Sequence, residues 1–468
     1  MSALWTATDI AAATGGVARG DFAGQGVAFD SREVGPGDLF IALKGEATDG
    51  HRFVERAFAS GAAGAIVSEP VDHPHVLVAD TTAALDALGR AGRMRSAARI
   101  AGVTGSVGKT GTKEALFAAL DRAAPGRAHR SVKSYNNQTG VPLSLARMPG
   151  NARFGVFEMG MNHAGELARL TQLVRPHVAI VTAIAPAHTA FFSGEEAIAD
   201  AKGEIFAGLE PGGTAIIPFD SPHRDRLIAA AQPWAGRILT FGTGQGADVR
   251  ALHAVRGGHG GTLVSARLPD AELTFTIGMP GAHWVSNALA VLAAVDVLGG
   301  DLAAAGLALA DLNGLAGRGA RVMVPFPDGR EALLIDESYN ANPASMAATL
   351  AVLGAEPATR RLVVLGEMRE LGEGSDRHHA ALAGPIEAAG VEFALLVGNG
   401  MTSLANALEG RIDFAHVPDA AAAGDRLAGV IAPGDAVLVK GSNAIGLAAL
   451  VEQFASGVPT SGRIPCST

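Results

Sequence analysis

Arg99-Ile-Ala-Gly-Val-Thr-Gly-Ser-Val-Gly-Lys-Thr-Gly-Thr-Lys-Glu-Ala-Leu-Phe-Ala-Ala-Leu120 decides the fold. The stretch opens with a short apolar run that reads as a buried strand. It closes on an apolar-periodic, helix-forming segment, and a glycine-rich turn joins the two. Strand, glycine-rich loop and helix in this order make a nucleoside triphosphate site. Gly105 and Gly108 allow the backbone to curl until several N–H groups face one anion, and the helix N-terminus adds a partial positive charge. Thr104, Gly105, Ser106, Val107, Gly108, Lys109 and Thr110 are therefore the candidate nucleotide-binding residues. Lys109 is expected to reach the β- and γ-phosphates and the Thr110 hydroxyl to bind Mg²⁺. The loop departs from the strict Gly-x-x-x-x-Gly-Lys-Thr form, because Val103 stands at the first glycine position and Gly102 lies one residue early.

Working outward, 468 residues suggest about three domains. With 48% hydrophobic and 18% charged residues, each can build a core. A formal net charge of −9, with no Lys/Arg-rich run, excludes a general nucleic-acid binder. The single cysteine, Cys466, rules out a disulfide framework and fits a cytoplasmic location. The first residues lack a basic region followed by an apolar core, so no signal peptide is expected. No uncharged apolar run approaches the roughly 18 residues of a membrane span.

Residues 1–97 read as a small α/β domain. Val27 to Leu43 forms strand, turn and strand around Pro36-Gly37, and a helix runs from Thr82 to Arg95. Asp30-Ser31-Arg32 suits an anionic ligand or a solvated turn. The central segment, 98–316, places Ser134-Tyr-Asn-Asn-Gln-Thr139 in a polar loop. Phe154 to Met159 reads as a second buried strand with Glu158 at its carboxyl end, where a carboxylate holds Mg²⁺ or caps a helix. His188 follows a third strand, and Lys202 sits in the helix after it, catalytic or exposed alike on periodicity alone. Residues 236–280 alternate as antiparallel strands do, with a glycine-rich turn at 253–261. His283 and Asn287 share a helix face, placed to read an adenine edge or to hydrogen-bond in the core. Residues 317–468 return to α/β alternation. Polar loops end the strands at Asp336, Gly366 and Lys440, which predicts a Rossmann-like layer.

The ordered set Thr104–Thr110, Asn136-Asn137, Glu158-Met-Gly-Met161, His188, Ala201-Lys-Gly-Glu-Ile205, Asn287, Asp336, Tyr339-Asn-Ala-Asn-Pro343 and Lys440-Gly-Ser442 resembles the Mur ligases, ATP-dependent amide ligases of peptidoglycan precursor synthesis. Asp30-Ser-Arg32, Pro36-Gly-Asp-Leu-Phe40, Asp336 to Met346 and Leu365 to Leu371 resemble the branch that ligates D-alanyl-D-alanine to UDP-N-acetylmuramoyl-tripeptide. The resemblance implies an α/β chain of three domains: an N-terminal domain for the UDP end of the substrate, a central P-loop ATPase domain with a mainly parallel sheet, and a mobile Rossmann-like C-terminal domain. It implies Thr110 and Glu158 on one Mg²⁺, and His188 and Lys202 on a second, with Lys202 N-carboxylated. Asn287, Tyr339, Asn340 and Asn342 would contact adenine, and Asp336 the ribose or a metal-bound water. Arg321, rather than Arg318, would reach the γ-phosphate. Ser31, Arg32, Asn137 and Thr139 are the substrate-binding candidates, and a monomer is expected. Gly111, Thr189-Ala190 and Asn443 depart from the family pattern at neighbouring positions.

Three rivals are weighed against this. A folylpolyglutamate synthase-like enzyme would lack the first domain. A ligase adding diaminopimelate or lysine would carry an Asp-Asn-Pro-Arg motif, where Tyr339-Asn-Ala-Asn-Pro343 stands instead. A P-loop switch would turn over nucleotide without an amine.

Overall fold

The computed structural model describes residues 3–45, 48–186, 190–257 and 261–458. The chain divides into two compact units. The first comprises Met1–Thr182, Ala199–Arg250 and Leu289–Ala308, and the second Ala183–Ile198, Ala251–Ala288 and Leu309–Thr468. No described helix is long and apolar enough to cross a membrane.

Beside a two-stranded antiparallel ribbon of Trp5–Thr6 with Ala23–Gly24, the first unit holds one five-stranded sheet and the greater part of a larger one. The smaller contains β1 (Val17–Arg19), β2 (Gly26–Ala28), β3 (Asp38–Ile41), β4 (Gly64–Val67) and β5 (His75–Leu77) in the order β1-β5-β4-β3-β2. Only β1 and β5 are antiparallel. Helix α1 (Thr81–Met94) follows, its N-terminus closed by Asp80, whose carboxylate accepts the Thr82 and Ala83 N–H groups. The larger sheet contains β6 (Arg99–Thr104), β7 (Ala128–Arg130), β8 (Phe154–Glu158), β9 (Val178–Val181), β10 (Thr214–Pro218) and β11 (Arg237–Gly242). Its order is β11-β10-β9-β6-β8-β7, with every one of these pairs parallel. β6 is buried from Ile100 onward, and β8 and β9 throughout, as strands covered on both faces must be. From β6 the chain first builds β7 and β8 on one side, then crosses to β9 on the other. That reversal opens a crevice at the carboxyl end of β6, where α/β sheets bind ligands. Helix α2 (Lys109–Ala123) leaves from this end.

The expected antiparallel run over 236–280 holds only for its later part. β11 pairs parallel with β10, and Val249 and Arg250 pair parallel with Phe241 and Gly242. Alternation reports a half-exposed face, not strand direction. The helix Arg224–Ala231 supplies the crossover that makes β10 and β11 parallel. Thr262–Arg267 and Glu272–Ile277, in the second unit, are antiparallel. His253 to Arg256 belong to a strand rather than to the turn, and residues 258–260 lie outside the described ones.

The second unit is built on β12 (Ala320–Pro325), β13 (Glu331–Glu337), β14 (Arg361–Gly366), β15 (Phe393–Val397), β16 (Asp413–Val417) and β17 (Ala436–Lys440). The order is β12-β13-β17-β14-β15-β16, parallel except for β12 with β13. Met346, Leu350, Ile386 and Leu404 cover one face, and Leu427, Leu447, Leu450 and Phe454 the other. This is the Rossmann-like layer that the strand-end loops predict.

In the first unit α1 packs directly on the helix Gly140–Ala146, and glycine permits the approach. A Cβ at Gly92 would lie 2.4 Å from the Leu145 carbonyl oxygen, and one at Gly89 would lie 2.9 Å from the Pro142 Cα. Gly92→Ala is therefore expected to lower stability by about 1–3 kcal/mol through overpacking, despite the better helix propensity of alanine. Urea denaturation should show a reduced midpoint with an unchanged slope.

Candidate active site

The loop between β6 and α2 turns at two glycines in conformations side chains rarely adopt, Gly105 at φ 149° and Gly108 at φ 84°. The Lys109 ammonium folds back and donates to the Gly105 carbonyl at 2.6 Å. Thr182, just past β9, braces the loop from below. Its N–H donates to the Thr104 carbonyl at 2.9 Å and its hydroxyl to the Val107 carbonyl at 2.6 Å. Among the described residues, the buried hydroxyls of Thr104 and Ser106, and the buried Lys202 amine, have no hydrogen-bond partner. Unsatisfied buried polar groups cost about 1–3 kcal/mol each. Several converging on one glycine-rich curl suit a polar ligand with many acceptor oxygens, as a nucleotide phosphate has.

Glu158 stands at the carboxyl end of β8, opposite Val103, and is 1% exposed. One carboxylate oxygen accepts the Thr110 hydroxyl at 2.9 Å, and the other the Asn136 amide at 2.8 Å. Hydroxyl and carboxylate oxygens side by side suit a small hard dication. Lys202 ends the helix Glu195–Gly203 and is 1% exposed. Burial, reinforced by the charge of Lys109 and opposed by Glu204, holds its pKa well below the usual lysine value of 10.5. The amine therefore tends toward its neutral, nucleophilic form. His188 lies outside the described residues.

The candidate nucleotide residues of the second unit form a tight loop after β13. Asp336 accepts the Gly317 N–H at 2.6 Å and both the N–H and hydroxyl of Ser338, the latter at 2.6 Å. The Asn340 carbonyl accepts the buried Lys440 ammonium at 2.8 Å. Asn342 caps the helix Pro343–Gly354 by accepting the Ser345 N–H. Burial also raises the Glu337 pKa, against the opposing charge of Lys440. Asn287 is buried on the helix Ala282–Val297, 8% exposed. One turn earlier, burial and the charge of Lys440 lower the His283 pKa to about 4.

The two arginines part company. Arg321 spends its guanidinium on both oxygens of the buried Glu356, at 3.0 and 2.8 Å, and that carboxylate also meets Arg256. Arg318 instead lies over the Tyr339 ring, 4.2 Å from its centroid, beside the Asp336–Asn342 loop. A phosphate at Arg321 would have to displace the bidentate Glu356 carboxylate.

Among the substrate candidates, Ser31 is buried, while Arg32 is exposed and grips Asp30 at 2.6–3.1 Å. That bond holds the Asp30 pKa down at about 2. The Asn137 side chain gathers the Thr139 hydroxyl and the N–H groups of Thr139 and Gly140. Sequence reasoning quoted Asn136 only within the Asn136-Asn137 motif and did not name it as a site residue, and its pairing with Glu158 is seen only in the structure.

Three family models match the chain: the Mur ligase family catalytic domain over residues 25–95, the Mur ligase middle domain over 103–295, and the Mur ligase glutamate ligase domain over 326–443. The chain belongs to the Mur ligase family. It is 34% identical to a UDP-N-acetylmuramoyl-tripeptide–D-alanyl-D-alanine ligase of Synechocystis, over 92% of each chain. An Escherichia coli ligase of the same name is 36% identical, over 80% of this chain and 81% of that one. The crystal structure of MurF from Acinetobacter baumannii superposes with a TM-score of 0.83 at 31% identity, covering 96% of this chain and 98% of the other. The Thermotoga maritima MurF ligase in complex with ADP gives 0.75 at 26% identity, covering 92% and 97%.

Lys202 also carries a stability prediction. Its folded pKa lies below 10.5, so the unfolded chain binds the extra proton over the interval between the two values. Stability from this group is then greatest above 10.5 and is lost as pH drops through that interval. In CO₂-free buffer Lys202→Met should be more stable than the parent at pH 7, and the gain should narrow as pH rises toward 10.5. Denaturation midpoints that run parallel with pH in the two proteins would overturn this assignment.

Proposed function

We propose that the protein ligates D-alanyl-D-alanine to UDP-N-acetylmuramoyl-tripeptide, consuming ATP and releasing ADP and phosphate. The observation that carries the reading is likeness along nine-tenths of both chains to a ligase of that name. The buried, partnerless hydroxyls of the phosphate loop support it independently.

A carboxylate is a poor acyl donor, since its leaving group would be oxide. Transfer of the γ-phosphoryl group to it gives an acyl phosphate. The dipeptide's amine then attacks the acyl carbon, and the tetrahedral intermediate expels phosphate. Phosphoryl transfer needs positioning and charge neutralisation more than covalent help. The loop N–H groups from Gly105 to Thr110 hold the phosphates, and Lys109 leaves its Gly105 carbonyl to reach them. Arg318, rather than Arg321, meets the γ-phosphate. Thr110 and Glu158 would hold one Mg²⁺, and His188 and Lys202 a second; their chemistry is to neutralise phosphate and carboxylate charge. A buried amine at position 202 whose pKa is lowered, and which has no hydrogen-bond partner among the described residues, suits N-carboxylation, which would make it an anionic ligand. Asn287 and Tyr339 contact the base. Asp336, Asn340 and Asn342 hold the loop's shape by the bonds described and touch base or ribose from it. Ser31, Arg32, Asn137 and Thr139 bind the UDP-linked substrate. On this reading residues 1–97, 98–316 and 317–468 are the substrate, ATPase and Rossmann-like domains, and excluding water from the acyl phosphate falls to the last.

Phosphate release from ATP should require both UDP-N-acetylmuramoyl-tripeptide and D-alanyl-D-alanine, with the pentapeptide product appearing in step. Release with nucleotide alone would point to a switch, and release only with an amino acid and the UDP-dipeptide to a neighbouring ligase. Arg318→Ala should lower kcat by about 10³-fold, the scale of an arginine on a transferring phosphoryl group. Arg321→Ala should cost stability and leave kcat within about ten-fold, the factor equal to 1.4 kcal/mol.

A further inference from the structure

One buried charge beside the phosphate loop has no part in that reaction. Lys113 lies on α2, one turn beyond Lys109, and is 0% exposed. Its ammonium donates to the carbonyls of Ser131 at 2.9 Å and Lys133 at 2.8 Å. It also lies 2.8 Å from a Glu114 oxygen and 3.9 Å from the Glu158 oxygen that accepts Thr110. Three ammonium protons thus face two carbonyls and a carboxylate, with Glu158 just beyond.

The gripped segment is the one that leads to the UDP-substrate candidates. Lys133 adopts φ 50°, a left-handed conformation costing a non-glycine residue about 1–3 kcal/mol. The bond from Lys113 to its carbonyl helps to hold it there. Immediately downstream, the Tyr135 hydroxyl donates to Glu33 at 2.8 Å, and the Lys133 ammonium pairs with the same carboxylate. Asn136 turns back to Glu158. Asn137 and Thr139 follow. Glu158 is therefore held from two sides, by groups on α2 and by the loop, and Lys113 is bonded to both α2's glutamate and the loop's backbone.

We propose that Lys113 is a positioning residue that sets Glu158 in register with the 131–139 loop, so that metal-binding and UDP-substrate-binding groups are built as one piece. The proposal rests on the assignments given under Proposed function. Methionine at 113 would fill the volume but leave the Ser131 and Lys133 carbonyls and the Glu114 carboxylate without their shared donor.

The test uses the full chain with Lys113→Met and Lys113→Ala, each checked for a cooperative melting transition. The Mg²⁺ concentration that half-saturates binding of a fluorescent ADP analogue is read with no other substrate present. KM is then read for UDP-N-acetylmuramoyl-tripeptide and for D-alanyl-D-alanine. The first two constants should rise by about 10–100-fold, the usual cost of losing a group that orients a metal ligand, while the third stays within about two-fold. Ethylammonium should restore part of the loss in Lys113→Ala, and sodium chloride at equal ionic strength should not. A merely structural lysine would lower the melting temperature and leave these constants alone. Unchanged constants, or all three moving together, overturn the proposal. If neither variant folds, Lys113→Gln and Asn136→Ala decide by the same constants, an unmoved Mg²⁺ requirement in both being the overturning result. Should the wild type ligate nothing, the ligase reading fails, while the ADP arm still reports on Lys113 and Glu158.

Discussion

The parallel register that aligns the carboxyl ends of β6, β8 and β9 is the constraint on which the first unit depends. It sets Glu158 level with Val103 and Val181 level with Thr104. A loop that curls through Gly105 and Gly108 then delivers Thr110 within hydrogen-bond reach of Glu158, and Thr182 braces the loop's underside. A one-residue slip would send alternate side chains to the opposite face and separate these groups.

Burial does much of the chemical work around that register. Burial and the charge of Lys109 outweigh Glu204 and lower the Lys202 pKa, whereas Lys113, just as deeply buried, sits among oxygens. Two buried lysines in one unit thus meet different surroundings. In the second unit Asp336, Asn340 and Asn342 show a related economy. Polar residues proposed to meet the nucleotide also hold the loop in shape, by accepting backbone N–H groups, capping a helix or receiving Lys440.

Much of this was legible beforehand. The strand–loop–helix pattern, the buried parallel strands and the ends at which Glu158 and Asp336 stand follow from apolar runs broken by polar, glycine-rich turns. The stretch 236–280 was misread for a definite reason, and Arg318 and Arg321 could not be told apart. Two arginines three residues apart look alike until one is seen to face a carboxylate thirty-five residues on in sequence. Alternation of exposed and buried residues likewise cannot report strand direction, which the crossover helix Arg224–Ala231 decided. Lys113 drew no attention because a lysine on a helix reads as solvated unless its surroundings are known.

By itself the sequence determined the class of fold, the phosphate loop and the order of the polar strand ends, because these are local patterns of hydrophobicity and backbone freedom. The tertiary structure decided which polar groups are buried, which are satisfied and which are left with unused hydrogen-bonding capacity. Those properties arise from neighbours distant in the chain, such as Glu158 with Thr110 and Asn136, Lys113 with Ser131, and Arg321 with Glu356. Desolvation and hydrogen bonding act through space, and no spacing rule in one dimension encodes them.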